Sequence, residues 1–216
     1  MEISPIYNNV LINIDVVYTS NLSKMLAGAN LNPGTQINPA DYVANIGTVL
    51  SLPKMISPRR DYKGFSTKDI LPGDKCIIRY DVVYKFHDTD DGSKKFKNYF
   101  WYNRQDYWAA SIDKIFGVIR DGQIKMINGY CMVEQIEKKS LIVTNAESKR
   151  KTTAISGTLT GIGNNLTHLS NIQAQPGDKI YFNPNILQTY KINGKEFGIV
   201  SQKHIFGAEK DLPLLN

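Results

Sequence analysis

A chain of 216 residues is long enough for one large domain or for two of about 100 residues each. Its 42% hydrophobic and 21% charged residues exclude a disordered polyelectrolyte, and the net charge of +6 reads as spread out, clustering only at Arg59-Arg60 and Lys149-Arg150-Lys151, both in expected loops. No apolar run approaches the roughly 20 residues that a helix needs to cross a bilayer, and Met1-Glu2-Ile3-Ser4-Pro5 lacks a basic stretch ahead of an apolar one. A soluble cytoplasmic protein with no membrane partner is therefore expected.

In chain order, the apolar stretches are short, rich in Val, Ile, Tyr and Phe, and separated by Gly, Pro, Asn and Asp. That spacing predicts many short strands rather than helices. Residues 21–27 offer one helical turn without apolar periodicity. Four landmarks then recur in the same order. Asn8-Asn9-Val10-Leu11-Ile12-Asn13 matches Asn128-Gly129-Tyr130-Cys131-Met132-Val133, and Gly47-Thr48-Val49-Leu50 matches Gly157-Thr158-Leu159-Thr160. Pro72-Gly73-Asp74-Lys75 matches Pro176-Gly177-Asp178-Lys179, and Ser111 with Ile115-Phe116-Gly117 matches Ser201 with Ile205-Phe206-Gly207.

The offsets are 120, 110, 104 and 90, so the first copy carries 10, 6 and 14 extra residues in three intervals. Each interval is rich in loop formers: Asn32-Pro33-Gly34, Ser57-Pro58-Arg59-Arg60 and Asp88-Thr89-Asp90-Asp91-Gly92-Ser93. Loop lengthening costs little, whereas lengthening a paired strand breaks its register. Two copies of one all-β unit are expected, over residues 1–122 and 123–216. Within each, Pro-Gly-Asp is a turn ahead of a strand, and Asn193-Gly194 is a hairpin signal.

The second copy resembles the GroES-type co-chaperonin family from end to end. The residues that carry the resemblance are Tyr130-Cys131-Met132-Val133, Ser140-Leu141-Ile142-Val143, Gly157-Thr158-Leu159-Thr160-Gly161, Gly177-Asp178-Lys179-Ile180-Tyr181-Phe182 and Ile205-Phe206-Gly207. The first copy is similar to the same unit in Val10 to Ile14, Gly47 to Leu50, Gly73 to Ile78 and Trp108 to Val118. The resemblance implies two tandem small β-barrels with long loops, assembling as a homo-oligomeric ring that docks on a chaperonin. The docking element it implies is an aliphatic tripeptide in a mobile loop, here Leu141, Ile142 and Val143, with Met25 and Leu26 the weaker counterpart in the first copy. The Gly-Gly that usually precedes the tripeptide is here Lys139-Ser140, which stiffens the loop. Alternatively the tripeptide extends the opening strand and packs in the core, and the barrel serves as a building block of a larger assembly such as a viral particle.

Other candidates carry less. His87, His168 and His204 sit beside no nucleophile and at no metal-ligand spacing, and Cys76 and Cys131 read as buried free thiols. His87-Asp88-Thr89-Asp90-Asp91-Gly92 lacks the later ligands of a calcium loop. The aromatic run Tyr99-Phe100-Trp101-Tyr102, read as a hairpin that only the first copy has, suggests a protein contact through Trp101 and Tyr102 rather than base stacking. With no phosphate loop, paired carboxylates or nucleophile elbow, neither an enzyme nor a cofactor is expected, and nucleic acid comes last among partners.

Overall fold

The computed structural model describes residues 3–17, 43–84, 86–88, 94–145, 148–164, 173–183 and 187–210; of residues 60, 86–88, 94–95, 138–145 and 148–154 it describes the backbone alone. The chain divides into two compact units, Met1–Gln123 and Ile124–Asn216. Among the described residues every regular element is a strand or a single 3₁₀ turn.

The first unit holds β1 (Asn9–Asn13), β2 (Ile46–Ser51), β3 (Lys75–Ile78), β4 (Phe86–Asp88), β5 (Lys94–Phe96), β6 (Tyr99–Tyr102), β7 (Gln105–Ser111) and β8 (Ile115–Arg120); β9 (Gln123–Met126) straddles the division. The second holds β10 (Tyr130–Asn145), β11 (Ser148–Ile162), β12 (Lys179–Phe182), β13 (Gln188–Ile192), β14 (Lys195–Ser201) and β15 (Ile205–Glu209). The sheet orders are β6-β7-β1-β2-β3-β8-β9 and β13-β14-β10-β11-β12-β15, with β4-β5 a separate ladder. Six strands therefore follow one order in both units. The ladders among the described residues leave β6 and β9 at the ends of one sheet and β13 and β15 at the ends of the other, so they do not by themselves close either sheet into a barrel.

The two units also agree residue by residue. Gly73 and Gly177 take left-handed φ values of +92° and +104°, a region open to glycine without steric cost. Each then donates its N–H to the strand before it, Gly73 to the Val49 carbonyl and Gly177 to the Leu159 carbonyl, both at 2.7 Å. The following aspartates close the turn, Asp74 accepting from the Leu71 N–H at 2.7 Å and Asp178 from the Gln175 N–H at 2.8 Å. Ladders slip by one residue at matching places, after Leu11 and Met132 and again after Ile77 and Tyr181. The second slip leaves Phe116 and Phe206 as the unpaired bulge residues.

Two sequence expectations need correction. The opening strands align with an offset of 121, not 120. Tyr7 and Asn128 share a φ of 53°, and the Asn8 and Gly129 carbonyls accept the equivalent bonds from the Ile112 and Gln202 N–H groups. Identical Asn residues had drawn the match one place off. The aromatic hairpin β6-β7 is also not private to the first unit, since it corresponds to β13-β14. Its tight turn is Asn103-Arg104, with φ of 48° and 64°, where the second unit has Asn193-Gly194 at 53° and 79°. Arg104 in the glycine position hides the hairpin signal. The extra ladder of the first unit is β4-β5.

Alternation on β2 and β12 buries every second side chain, as a half-buried strand requires. The second core gathers Cys131, Val133, Ile155, Leu159, Ile180, Phe182 and Val200. At its centre β10 and β11 approach so closely that a Cβ on Gly157 would fall on Val133 Cγ1 and lie 2.9 Å from the Glu134 carbonyl oxygen. The matching Cβ on Gly47 would lie 2.9 Å from Ile12 Cδ1 and 3.2 Å from the Asn13 carbonyl oxygen. Gly157→Ala is expected to lower unfolding stability by about 1–3 kcal/mol, and Gly47→Ala by less because a side-chain tip can turn aside, as read by urea melts.

In the first unit Asp74 also pairs with Arg120, at 2.6 Å and 3.0 Å. The guanidinium bonds, helped by the Leu71 N–H and opposed by burial, hold its carboxyl below the ordinary 3.8. A carboxyl that binds its proton less readily folded than unfolded stabilises the fold above its unfolded value and loses that effect as pH falls through the lower folded one. Asp74→Asn should therefore destabilise at pH 7 and flatten the decline in melting temperature below about pH 4.

Candidate partner-docking site

The longest elements are β10, of 16 residues, and β11, of 15. Their length follows from composition, since residues 130–145 contain no Gly or Pro and the distal half is rich in β-branched Ile142, Val143, Thr144, Thr152 and Thr153. β14 pairs with β10 only from Tyr130 to Val133, and β12 with β11 only from Ile155 to Thr158. Beyond that, β10 and β11 pair with each other from Lys138↔Ile155 out to Asn145↔Ser148. The result is a two-stranded arm prolonging the sheet.

The arm begins at an irregularity between Glu134 and Glu137, where Gln135 takes a left-handed φ of 50°. Such a bulge bends its strand and raises its twist, so it sets the direction in which the arm leaves. Two ion pairs brace this root on opposite flanks. Glu134 meets Lys195 at 2.8 Å on the β14 side, and Glu137 meets Lys179 at 3.0 Å on the β12 side.

The sequence-predicted tripeptide lies in this arm. Leu141 stands opposite Thr152, Ile142 opposite Lys151 and Val143 opposite Arg150. The expected loop is thus a regular ladder, and Lys139-Ser140, in place of Gly-Gly, continues it opposite Ala154 and Thr153. Met25 and Leu26 lie outside the described residues, as does the helical turn at 21–27. The basic cluster Lys149-Arg150-Lys151, assigned from sequence to a loop, is instead strand β11 facing the tripeptide.

Trp101 and Tyr102 lie on β6, an end strand of the first sheet, well apart in sequence from the arm. Trp101 is 62% exposed, whereas Trp108 on the neighbouring strand is 1% exposed and packs against Phe96 and Tyr99, with ring centroids 5.1 Å and 5.2 Å away. Phe100 stacks on Tyr107 at 5.2 Å, as Tyr190 stacks on Phe197 at 6.3 Å in the second unit. The run Tyr99–Tyr102 is therefore exposed or half-buried throughout, and the core anchor of this hairpin is Trp108 on the neighbouring strand. Sequence reading passed over Phe206, which is 74% exposed while its counterpart Phe116 is 2% exposed. The landmark match itself could have flagged the pair for comparison.

Reactive chemistry is sparse. Burial pushes both the Cys76 and Cys131 thiols up to about 12, which keeps them protonated. Burial and the Lys203 charge hold His204 below its ordinary value. Of the other histidines, His87 lies on β4 and His168 outside the described residues. Among the described residues no three His, Cys, Asp or Glu gather to hold a metal, and most of the 87–92 segment weighed as a calcium loop lies outside them. A cleft of about 420 Å³ lined by Ser4, Ser51, Leu52, Lys54 and Pro72 has Lys54 as its one ionisable lining side chain. No helix is long and apolar enough to cross a membrane among the described residues.

No family model matches the chain, and no curated protein matches it either.

The burial contrast between the two tryptophans separates folding from contact. Trp108→Ala is expected to cost about 3–5 kcal/mol in chemical denaturation, and Trp101→Ala within about 0.5 kcal/mol. In the single-tryptophan proteins, acrylamide should quench Trp101 readily and Trp108 hardly at all.

Proposed function

We propose that this protein is a tandem co-chaperonin-like docking protein, acting without catalysis in the cytoplasm. It assembles into a ring and engages a chaperonin through Leu141, Ile142 and Val143 to assist folding. One observation carries the reading. Both units repeat a single strand order and register, and the long arm springs from the second unit between the opening strand and the glycine-led strand. That is where the GroES-type resemblance implies the docking loop. On the ladder Leu141 and Val143 share one face and Ile142 takes the other; each aliphatic residue contributes roughly 1.5–3 kcal/mol on full burial in a partner's groove, and several arms on one ring add avidity.

A second reading is favoured by the exposed rings of Trp101, Tyr102 and Phe206. In it the same units are building blocks of a larger assembly, such as a viral particle, with the aromatics as subunit contacts. The two readings part on one measurement. Replacing Leu141 and Ile142 by Asp should weaken binding to purified chaperonin with nucleotide by about a hundredfold or more and abolish support of refolding, while circular dichroism stays unchanged. Intact binding and refolding support in that variant would exclude the docking role and leave the building-block reading.

A further inference from the structure

Residues 138–154 contain Lys138, Lys139, Lys149, Arg150 and Lys151 against the single carboxylate of Glu147, a net charge of +4 out of the chain's +6. The arm is thus one of the strongly basic stretches of the chain, beside residues 94–104, which also sum to +4. Register then sets its charge beside the aliphatic residues: Ile142↔Lys151, Val143↔Arg150 and Thr144↔Lys149 are direct cross-strand neighbours. Facing residues in an antiparallel pair have Cβ atoms about 4.5–5.5 Å apart. Successive residues of a strand lie on opposite faces, so Ile142 shares one face with Lys151 and Val143 the other with Arg150, and a surface that receives either face must accommodate a cation beside the aliphatic residue.

From this juxtaposition we infer that the arm's partner is a protein surface bearing an apolar groove rimmed by carboxylates, and that the arm reaches it by electrostatic steering. The inference rests on the docking role of the arm proposed above and adds the chemistry of the partner. An apolar groove with a neutral or basic rim would receive either face only by leaving its cation, Arg150 on the face of Leu141 and Val143 or Lys151 on the face of Ile142, beside like charge or without counter-charge, which opposes complex formation. Acidic groups on the rim remove that penalty and add long-range attraction. Rim charges act mainly on association, and the buried aliphatic contacts on dissociation. A two-stranded basic ribbon also fits the major groove of duplex DNA. The aliphatic Leu141-Ile142-Val143, two of its residues opposite cations, favours a protein, because phosphate contacts need no aliphatic triplet.

The test follows association and dissociation of the full-length protein on immobilised chaperonin with nucleotide, between 0.05 M and 1 M salt, with duplex DNA as the competing surface. Three proteins are compared: the wild type, the combined Lys149→Glu, Arg150→Glu and Lys151→Glu variant, and the combined Leu141→Asp and Ile142→Asp variant. The expected result is wild-type association that slows as the screening length falls from above 10 Å toward about 3 Å. Charge reversal should slow association by about tenfold or more at low salt with dissociation little changed, and the aspartate pair should speed dissociation. Circular dichroism and melting temperature check that the variants fold. Chaperonin binding that ignores both salt and charge reversal would overturn the acidic rim while leaving the docking role standing. Absence of wild-type binding would overturn both. Duplex DNA bound in preference to chaperonin, and lost on charge reversal, would make the arm a nucleic-acid ribbon instead.

Discussion

The constraint on which the structure depends is the close crossing of the first two long strands in each unit, over a residue without a side chain. At Gly157 a methyl group has nowhere to go, because Val133 and the Glu134 carbonyl already fill the space. Gly47 meets Ile12 and Asn13 in the same way. The crossing seats Val49 and Leu159 in their cores and lets the Pro-Gly-Asp turn close behind them, with Asp74 and Asp178 carbonyls accepting from Val49 and Leu159 at 2.8 Å and 2.9 Å. One local approach therefore fixes the opening strand, the second strand and the turn before the third. It also sets where the arm starts, since Glu134 and Glu137 follow directly on that contact.

Much of this was legible in the sequence because its physical causes are local. A glycine at the crossing, a Pro-Gly-Asp turn and a Ser ahead of a short 3₁₀ turn each need a particular residue type in a particular place. Loop insertions move them apart without changing their order. Legibility failed where a residue hid its backbone state. Arg104 occupies a left-handed position usually given to glycine, so a hairpin shared by both units looked private to one. Tyr7 does the same beside Asn128 and cost one residue of register. The arm was expected as a loop from the resemblance, with extension of the opening strand as the alternative, and the ladder is that extension: a two-stranded ribbon accommodates charges such as Lys149-Arg150-Lys151.

The units differ most where a common framework is filled with different volumes. Trp108 occupies the strand position that is Gly198 in the second unit, where Leu187 and Ile136 close in on the space a side chain would take. Phe116 and Phe206 sit on the same bulge, and one is buried while the other faces solvent. Packing density is restored at the first site by neighbours moving in. At the second it is not, and a large ring is left in water. The ladder is thus kept in both units while single positions on it differ in burial.

A preformed ladder changes the energetics expected of a docking element. A flexible loop that orders on binding gives up backbone entropy of about 1–2 kcal/mol per residue fixed, which cancels much of what three aliphatic side chains contribute. Residues 138–145 and 148–154 are instead paired strand to strand, continuous with a six-stranded sheet and braced at the root by Lys179 and Lys195. An isolated two-stranded ribbon is only marginally stable, so its continuity with the sheet lowers the ordering cost at the root most and at the tip least. Leu141 stands nearer the root than Val143, so in the proposed docking role its contact would be the better preorganised of the two. The same stiffness narrows the range of partners, because a ribbon that leaves the sheet in a set direction cannot bend to find a misplaced groove. Affinity gained through rigidity is thereby tied to geometry, and the bulge at Gln135 is the point at which that geometry is set.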